Sequence, residues 1–359
     1  MKKTLIATAV AAGMLASGAA QAEPTVYGIL HLSIDTYADN HYDPTDPTGD
    51  AIKTSDLNMR SHTSAIGIKG SEDLGNGLKA IYKAEFQIEP DQRNKTITDR
   101  DQWIGLKAGW GKVAFGTMSS NYKQMGGKVD PLYRTEAEGR GILNMQSGLH
   151  GGAGIDGGRM ENTVQYTTPK MAGIEVVVNT TVSGGCEGAD ALPGSTCDES
   201  IGAGIRWSNK SILLYADYFD PSTLGSGPVD STTYTAADES VMKVGGKFST
   251  KVFQIGGQYE MTEDQLGGDY IFLSGLFNIN ANNAVAASWG QQDKVSDAFA
   301  VAYVHMLSKQ TNVYAGYGSV SADSCGTTAG SCSYELGVDE TGAVQDKGSV
   351  FTFGMRKSF

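Results

Sequence analysis

Apolar and polar residues alternate along most of this chain with the two-residue period of half-buried β-strands. Thr25 to Asp35 (TVYGILHLSID) shows it over ten residues: Val26, Gly28, Leu30, Leu32 and Ile34 make one face, and Tyr27, Ile29, His31, Ser33 and Asp35 the other. Leu78 to Glu89 repeats the pattern with a charged second face (Lys79, Lys83, Glu85, Gln87, Glu89) interrupted by Ile81. The pattern predicts further strands at 65–70, 100–109, 112–117, 159–166, 174–181, 201–207, 211–219, 241–248, 252–260, 270–279, 283–289, 299–307, 312–319 and 349–359. That makes about sixteen strands in all, each near the ten residues that cross a membrane as a tilted β-strand.

The connections fall into two length classes. Short turns (SEDLGNG, WG, SNK, STK, SKQT) alternate with long polar stretches at 36–58, 90–99, 119–158, 182–199, 220–239, 261–269, 290–297 and 320–348. A soluble sandwich has no reason to sort its loops this way, whereas an outer-membrane barrel has short periplasmic turns and long external loops. The expected fold is therefore all-β: a transmembrane antiparallel β-barrel. The stretch from Ser119 to Gly158, the third long loop, shows neither helical nor strand period and is rich in glycine. An insert this long is usually functional or disordered. Its expected place is inside the closed wall, folded into the lumen.

Parity extends the argument to charge. Lys69, Lys79, Lys83, Arg159, Arg206, Lys243, Lys247 and Arg356 all fall opposite the apolar faces. A cation facing lipid at the bilayer midplane costs about 2–4 kcal/mol, so these should face the lumen. Strand 100–109 is ambiguous, since Trp103/Gly105 and Ile104/Leu106 could each be the outer set.

Composition sharpens this picture. Hydrophobic content is 40% and the mean hydropathy is −0.25. No run beyond residue 22 approaches the ~18 apolar residues of a transmembrane helix, and a barrel needs none, because only alternate positions meet lipid. Residues 1–22 read as a cleaved signal peptide: Lys2 and Lys3, an apolar run, then Ala20-Gln21-Ala22. Residues 23–359 form one barrel domain, and removing the two lysines takes the formal charge from −12 to −14. The export route is periplasmic and the destination the cell outer membrane. Cys186, Cys197, Cys325 and Cys332 are candidates for disulfides in that oxidising compartment. Four cysteines allow three pairings, of which the local one, Cys186–Cys197 and Cys325–Cys332, closes two short loops. The final strand puts Phe351, Phe353, Met355 and the terminal Phe359 on one face, which resembles the assembly signal of outer-membrane barrels.

Catalytic and cofactor chemistry is not legible. The five histidines (His31, His41, His62, His150, His305) form no H-E-x-x-H, there is no G-x-S-x-G, and GGAGIDGG lacks the strand and helix a phosphate loop requires. Asp43, Asp46 and Asp50 lack calcium-loop spacing, and the cysteine spacings are not those of zinc pairs. No catalytic residue, metal or cofactor is expected, and the acidic charge disfavours nucleic acid.

In this order, SEDLGNGLKAIYKAEFQIE, WIGLKAGWGKVAFG, NTVQYTTPKMAGIEV, SKQTNVYAGYG and the final GMRKSF resemble signature stretches of the trimeric general diffusion porins of Gram-negative bacteria. The resemblance implies a homotrimer in outer-membrane lipid, delivered by the barrel assembly machinery, passing small hydrophilic solutes and ions. It also implies an eyelet in which third-loop acids face wall bases. Asp130-Pro131-Leu132 is similar to the family's acidic turn, with Glu136 and Glu138 following; Lys69, Arg100 and Arg159 match basic wall positions, and Lys83 joins them by parity. Ala65 and Thr117 stand where the family commonly has arginine, so the expectation is mild cation selectivity. Two other readings are a substrate-specific porin and a structural or adhesive barrel with a plugged lumen.

Overall fold

A computed structural model describes residues 24–38, 41–42, 51–52, 57–93, 97–150, 158–182, 200–220, 240–262, 268–322 and 347–359. The signal peptide and all four cysteines lie outside these residues. Sixteen wall strands follow in order. β1 is Thr25–Ala38, β2 comes in two pieces (Asn58–Ser61 and Ala65–Gly75), β3 is Leu78–Gln87, β4 Thr98–Ala108 and β5 Gly111–Ser119. A short helix α1, Lys123–Val129, opens the third loop. Then come β6 Arg159–Thr167, β7 Ile174–Thr181, β8 Ile201–Ser208, β9 Ile212–Asp220, β10 Val241–Ser249, β11 Phe253–Met261, β12 Tyr270–Asn278, β13 Asn283–Gln292, β14 Ser296–Ser308, β15 Thr311–Ala322 and β16 Lys347–Ser358.

Each strand pairs antiparallel with its sequence neighbours, and β1 pairs with β16 from Ile29↔Ser358 to Ala38↔Ser349. The sheet is thus closed and has no edge, which is what a sheet needs in a medium that cannot hydrogen-bond to exposed backbone. The C-terminus completes the seam: the amides of Gly28 and Phe359 each donate to the other's carbonyl, at 3.0 and 3.1 Å. A methyl group on Gly28 would meet the Phe359 ring at 2.4 Å and the Ala65 carbonyl at 2.9 Å, so the ring occupies the space that a side chain here would take.

The outer surface is a continuous apolar belt that includes Leu30, Ile66, Ile104, Phe115, Leu214, Ile255, Phe299 and Phe353, all exposed. Its extent far exceeds the few hundred Å² of apolar patch on a soluble monomer and fits a surface solvated by lipid. Ile104 is 62% and Leu106 40% exposed, which makes them the outer set of β4 and turns Trp103 and Gly105 inward.

Two irregularities redirect side chains into the lumen. β2 breaks at His62–Ser64, where Thr63 takes φ +54°, and the Ser64 hydroxyl caps the gap by accepting from the His31 amide at 3.0 Å. In β4 the register against β3 shifts by one residue, so that Arg100 and Asp101 together oppose Glu85. Such a bulge leaves one residue unpaired and re-aims its neighbours.

Candidate functional site

The third loop is held inside the barrel by an apolar seat and by buried polar pins. On the wall side of the seat, Ala286, Ala298, Ala300 and Ala302 line the inner faces of β13 and β14, with Phe272, Tyr215 and Val320 beside them. Met125, Val129, Leu132, Ala137, Leu143 and Met145 of the loop fill the space that these small residues leave. At Gly290 the fit is close, since a Cβ there would stand 2.4 Å from the Met145 Cβ.

The pins form around Glu260 of β11, which is fully buried. Its Oε2 accepts from the Tyr122 hydroxyl at 2.8 Å and the Ser147 hydroxyl at 2.5 Å, and lies 3.2 Å from His150 Nε2. Gln258 donates to its Oε1 at 2.7 Å. Lys243 of β10 donates to the Tyr122 carbonyl and lies 3.9 Å from the centre of that ring. Burial, and then the Lys243 charge, push the His150 imidazole down to about 4, against the opposing pull of Glu260, and its ring centre lies 5.2 Å from that of Tyr122. Further along, the Asn121 side chain donates to Asp217 at 3.0 Å, and Arg206 donates to Gln124 and to the Asn121 carbonyl. A buried acid left without these donors would cost several kcal/mol, so the set acts as one unit.

The loop then reaches the seam. Glu136 Oε1 accepts from the Tyr37 hydroxyl at 2.6 Å and lies 3.5 Å from Arg60; its Oε2 lies 3.6 Å from His62 Nδ1. Glu138 pairs with Arg140 at 3.0 Å, and Arg140 also donates to the His150 carbonyl. Asp130 is 5% exposed and serves its own turn, with its two oxygens accepting the amides of Leu132 and Gly139 at 2.8 Å each. Burial raises its carboxyl to about 7 against the lowering effect of those two amides. Of the three acids expected at the eyelet, the structure thus places two in ion pairs and one in a backbone pocket.

The wall bases form a ladder of alternating charge. Arg100 bonds Glu85 at 2.6 Å, Glu85 lies 3.2 Å from Lys83, Lys83 bonds Asp101 at 2.9 Å, and Asp101 bonds Arg159 at 3.0 Å. The bulge makes this possible: with Ile104 and Gln102 on the outer face, simple alternation would aim Arg100 at lipid. Lys69 stands apart from the ladder, 4.9 Å from the centre of the Tyr27 ring. Three cations against two carboxylates leave the ladder one charge positive. Ala65 is buried at the inner wall, and Thr117 is half-buried.

Sequence reasoning passed over Glu85, Asp101, Arg60, Tyr37 and Glu260 as site residues. Parity pointed inward for Glu85 and Glu260, and the signal was there to use. Asp101 next to Arg100 violates alternation, and only the bulge brings both to one face. No helix among the described residues is long and apolar enough to cross a membrane.

A family model described as Gram-negative porin matches residues 7–324. An outer membrane porin protein of Bordetella pertussis is 30% identical over 254 residues, which cover 65% of this chain and 63% of that protein. Major outer membrane protein P.IB of Neisseria gonorrhoeae is 28% identical over 250 residues, covering 68% and 65%. The chain therefore spans just under two thirds of the length of these curated relatives. Among solved structures, an anion-selective porin from Comamonas acidovorans matches with a TM-score of 0.72 at 19% identity, over 94% of this chain and 100% of that one. A trimer form of an outer membrane protein of Vibrio cholerae matches with a TM-score of 0.62 at 16% identity, over 94% and 100%. At those identities the structures speak for the fold.

Proposed function

The chain belongs to the Gram-negative porin family, and on that premise we propose that it is a general diffusion channel for small hydrophilic solutes and ions. It is an outer-membrane protein with a channel fold, and the reading requires neither catalysis nor a cofactor. The observation that carries it is a closed wall, apolar outside and charged inside, narrowed by a loop docked against one side of the lumen. Barrels of 16 to 18 strands are wide enough to leave an aqueous path. The working assembly is a homotrimer in outer-membrane lipid, as the family resemblance implies, and Phe359 at the seam is the residue that the barrel assembly machinery would read.

On ion preference the charges argue against the sign expected from sequence. The described part of the loop, residues 120–150, carries Lys123, Lys128, Arg134 and Arg140 against Asp130, Glu136 and Glu138. Asp130 is withdrawn into backbone, and the wall ladder is net positive. A weak anion preference follows in place of mild cation selectivity, because fixed charge in a narrow aqueous path concentrates the counter-ion.

Liposome swelling tests the general-diffusion reading. Uptake of neutral sugars should fall smoothly with molecular size. Separation of stereoisomers of equal size would replace it with a substrate-specific porin, and no swelling at all would favour a plugged barrel. Cross-linking in detergent should yield trimers, and a monomer as the only species would remove that part of the reading.

A further inference from the structure

We propose that Asp35, His62 and Glu136 form a binding site for a divalent transition-metal ion, Zn²⁺ in the first instance, between the third loop and the seam of the wall. One ligand atom from each of the three lies within 4.8 Å of the other two. His62 Nε2 is 3.8 Å from Asp35 Oδ2, and His62 Nδ1 is 3.6 Å from Glu136 Oε2. Those two separations use different imidazole nitrogens. With one ligand atom from each residue the three lie within 4.8 Å, against roughly 3.3–3.6 Å between neighbouring ligands of a tetrahedral Zn²⁺ bound at 2.0–2.2 Å, so the cluster must contract by up to about an ångström to close on an ion. Binding needs the imidazole to turn about χ2 so that one nitrogen faces both carboxylates.

The surroundings support the assignment independently of the spacing. Asp35 is fully buried, and its Oδ1 makes no hydrogen bond of ordinary geometry among the described residues. The Thr352 hydroxyl facing it on β16 approaches the carboxylate without closing one, which leaves an oxygen for a metal ion to take. Ser33 donates to Oδ2 at 2.6 Å, and its oxygen lies 2.5 Å from His62 Nε2, so this hydroxyl bridges two of the three ligands and must release the imidazole when an ion binds. Tyr37 and Arg60 both engage Oε1 of Glu136, leaving Oε2 as the oxygen turned to His62. These are the outer contacts that fix ligands around a metal. The two carboxylates carry the two negative charges that a divalent ion neutralises, with Arg60 on the outer oxygen of Glu136. One imidazole with two carboxylates suits Zn²⁺, Ni²⁺ or Cu²⁺ and not Mg²⁺, which takes oxygen and water. His62 and Glu136 reach the lumen with side chains 9% and 10% exposed, which gives an ion its entry and a water its fourth position. An ion bound there would staple the loop to the wall at its far end.

The test is calorimetric titration of the folded full chain in detergent with Zn²⁺ and, separately, Mg²⁺. One saturable Zn²⁺ per chain is expected and none for Mg²⁺. His62→Gln and Glu136→Gln should each weaken Zn²⁺ binding by more than about tenfold, while His305→Gln, remote on β14, leaves it unchanged. Co²⁺ on the unmodified protein needs no variant: a visible band of a low-coordinate N/O site supports the proposal, and the spectrum of aqueous Co²⁺ at saturation overturns it. The proposal is also overturned by equal affinity in the wild type and His62→Gln, or by no saturable Zn²⁺ binding up to about 1 mM.

Discussion

Asp101 is the carboxylate whose removal should speak most clearly about the lumen. It bonds Lys83 at 2.9 Å and Arg159 at 3.0 Å, and Ser119 donates to it at 3.3 Å. Asp101→Asn keeps the shape and an accepting oxygen, so the ladder can stay in place while its net charge rises from one to two. For a monovalent ion passing about 7 Å away in a water-filled path, one added charge is worth roughly 0.6 kcal/mol, close to RT. Screening at about 0.1 M salt halves that, to ~0.3 kcal/mol or about 1.6-fold in local concentration. The charge attracts anions and repels cations equally, so the anion-to-cation permeability ratio should rise about two- to threefold, and more at ~0.01 M where the Debye length is ~30 Å. The assay is the reversal potential of Asp101→Asn and the wild type in a tenfold KCl gradient at both ionic strengths. A shift toward cations, or no shift at the lower salt, would refute the placement of this ladder on the permeation path.

Three further expectations concern the loop. Gly290→Ala adds one methyl where Met145 Cβ would lie 2.4 Å away and the Ile271 carbonyl 2.9 Å away. Docking should lose about 1–3 kcal/mol, seen as faster amide exchange in residues 139–150 with the barrel's thermal unfolding little changed; unaltered exchange would sink the packing argument. Tyr37→Phe removes the 2.6 Å bond to Glu136. A hydrogen bond to a charged group is worth about 1.5–3 kcal/mol, so open-channel noise should rise, and a quiet record would say that Glu136 does not tether the loop. Burial brings the Asp130 carboxyl up to about 7, while burial and then Arg159 bring the Lys123 amine down to about 7. Both groups gain a proton as pH falls through 7, so loop charge rises by up to two and anion preference should grow between pH 8 and 6. Asp130→Asn should flatten part of that slope; a reversal potential constant over the range contradicts it.

Much of the architecture was legible in alternation alone. The inner and outer faces of β1 and β3, the two loop classes and the third loop as an internal element all follow from a period of two and a cost for charge in lipid. What failed did so where one extra residue breaks the period. Arg100 and Asp101 share a face only through the bulge opposite Glu85, and the Asn58–Ser61 piece of β2 is detached from its continuation by Thr63. The loop's seat was written as small residues at alternate positions, in Ala298, Ala300 and Ala302 beside the outward Phe299, yet small inner residues read as pore lining until the bulky partners Leu143 and Met145 are placed against them. Charge was the least legible property. Parity says that Lys243 points inward, but cannot say that Tyr122 covers it, nor that Asp130 turns to the amides of its own loop. Those facts depend on tertiary contacts more than a hundred residues apart, or on a turn whose hydrogen bonds leave no periodic trace.

Single-channel recording in a planar bilayer under a KCl gradient tests the central claim most directly. Pure protein should insert with stepwise, ohmic conductance, and the zero-current potential should have the sign of a weak anion preference. No stepwise conductance from folded protein would contradict the open lumen, and a clear cation preference would contradict the charge balance assigned to its wall and loop.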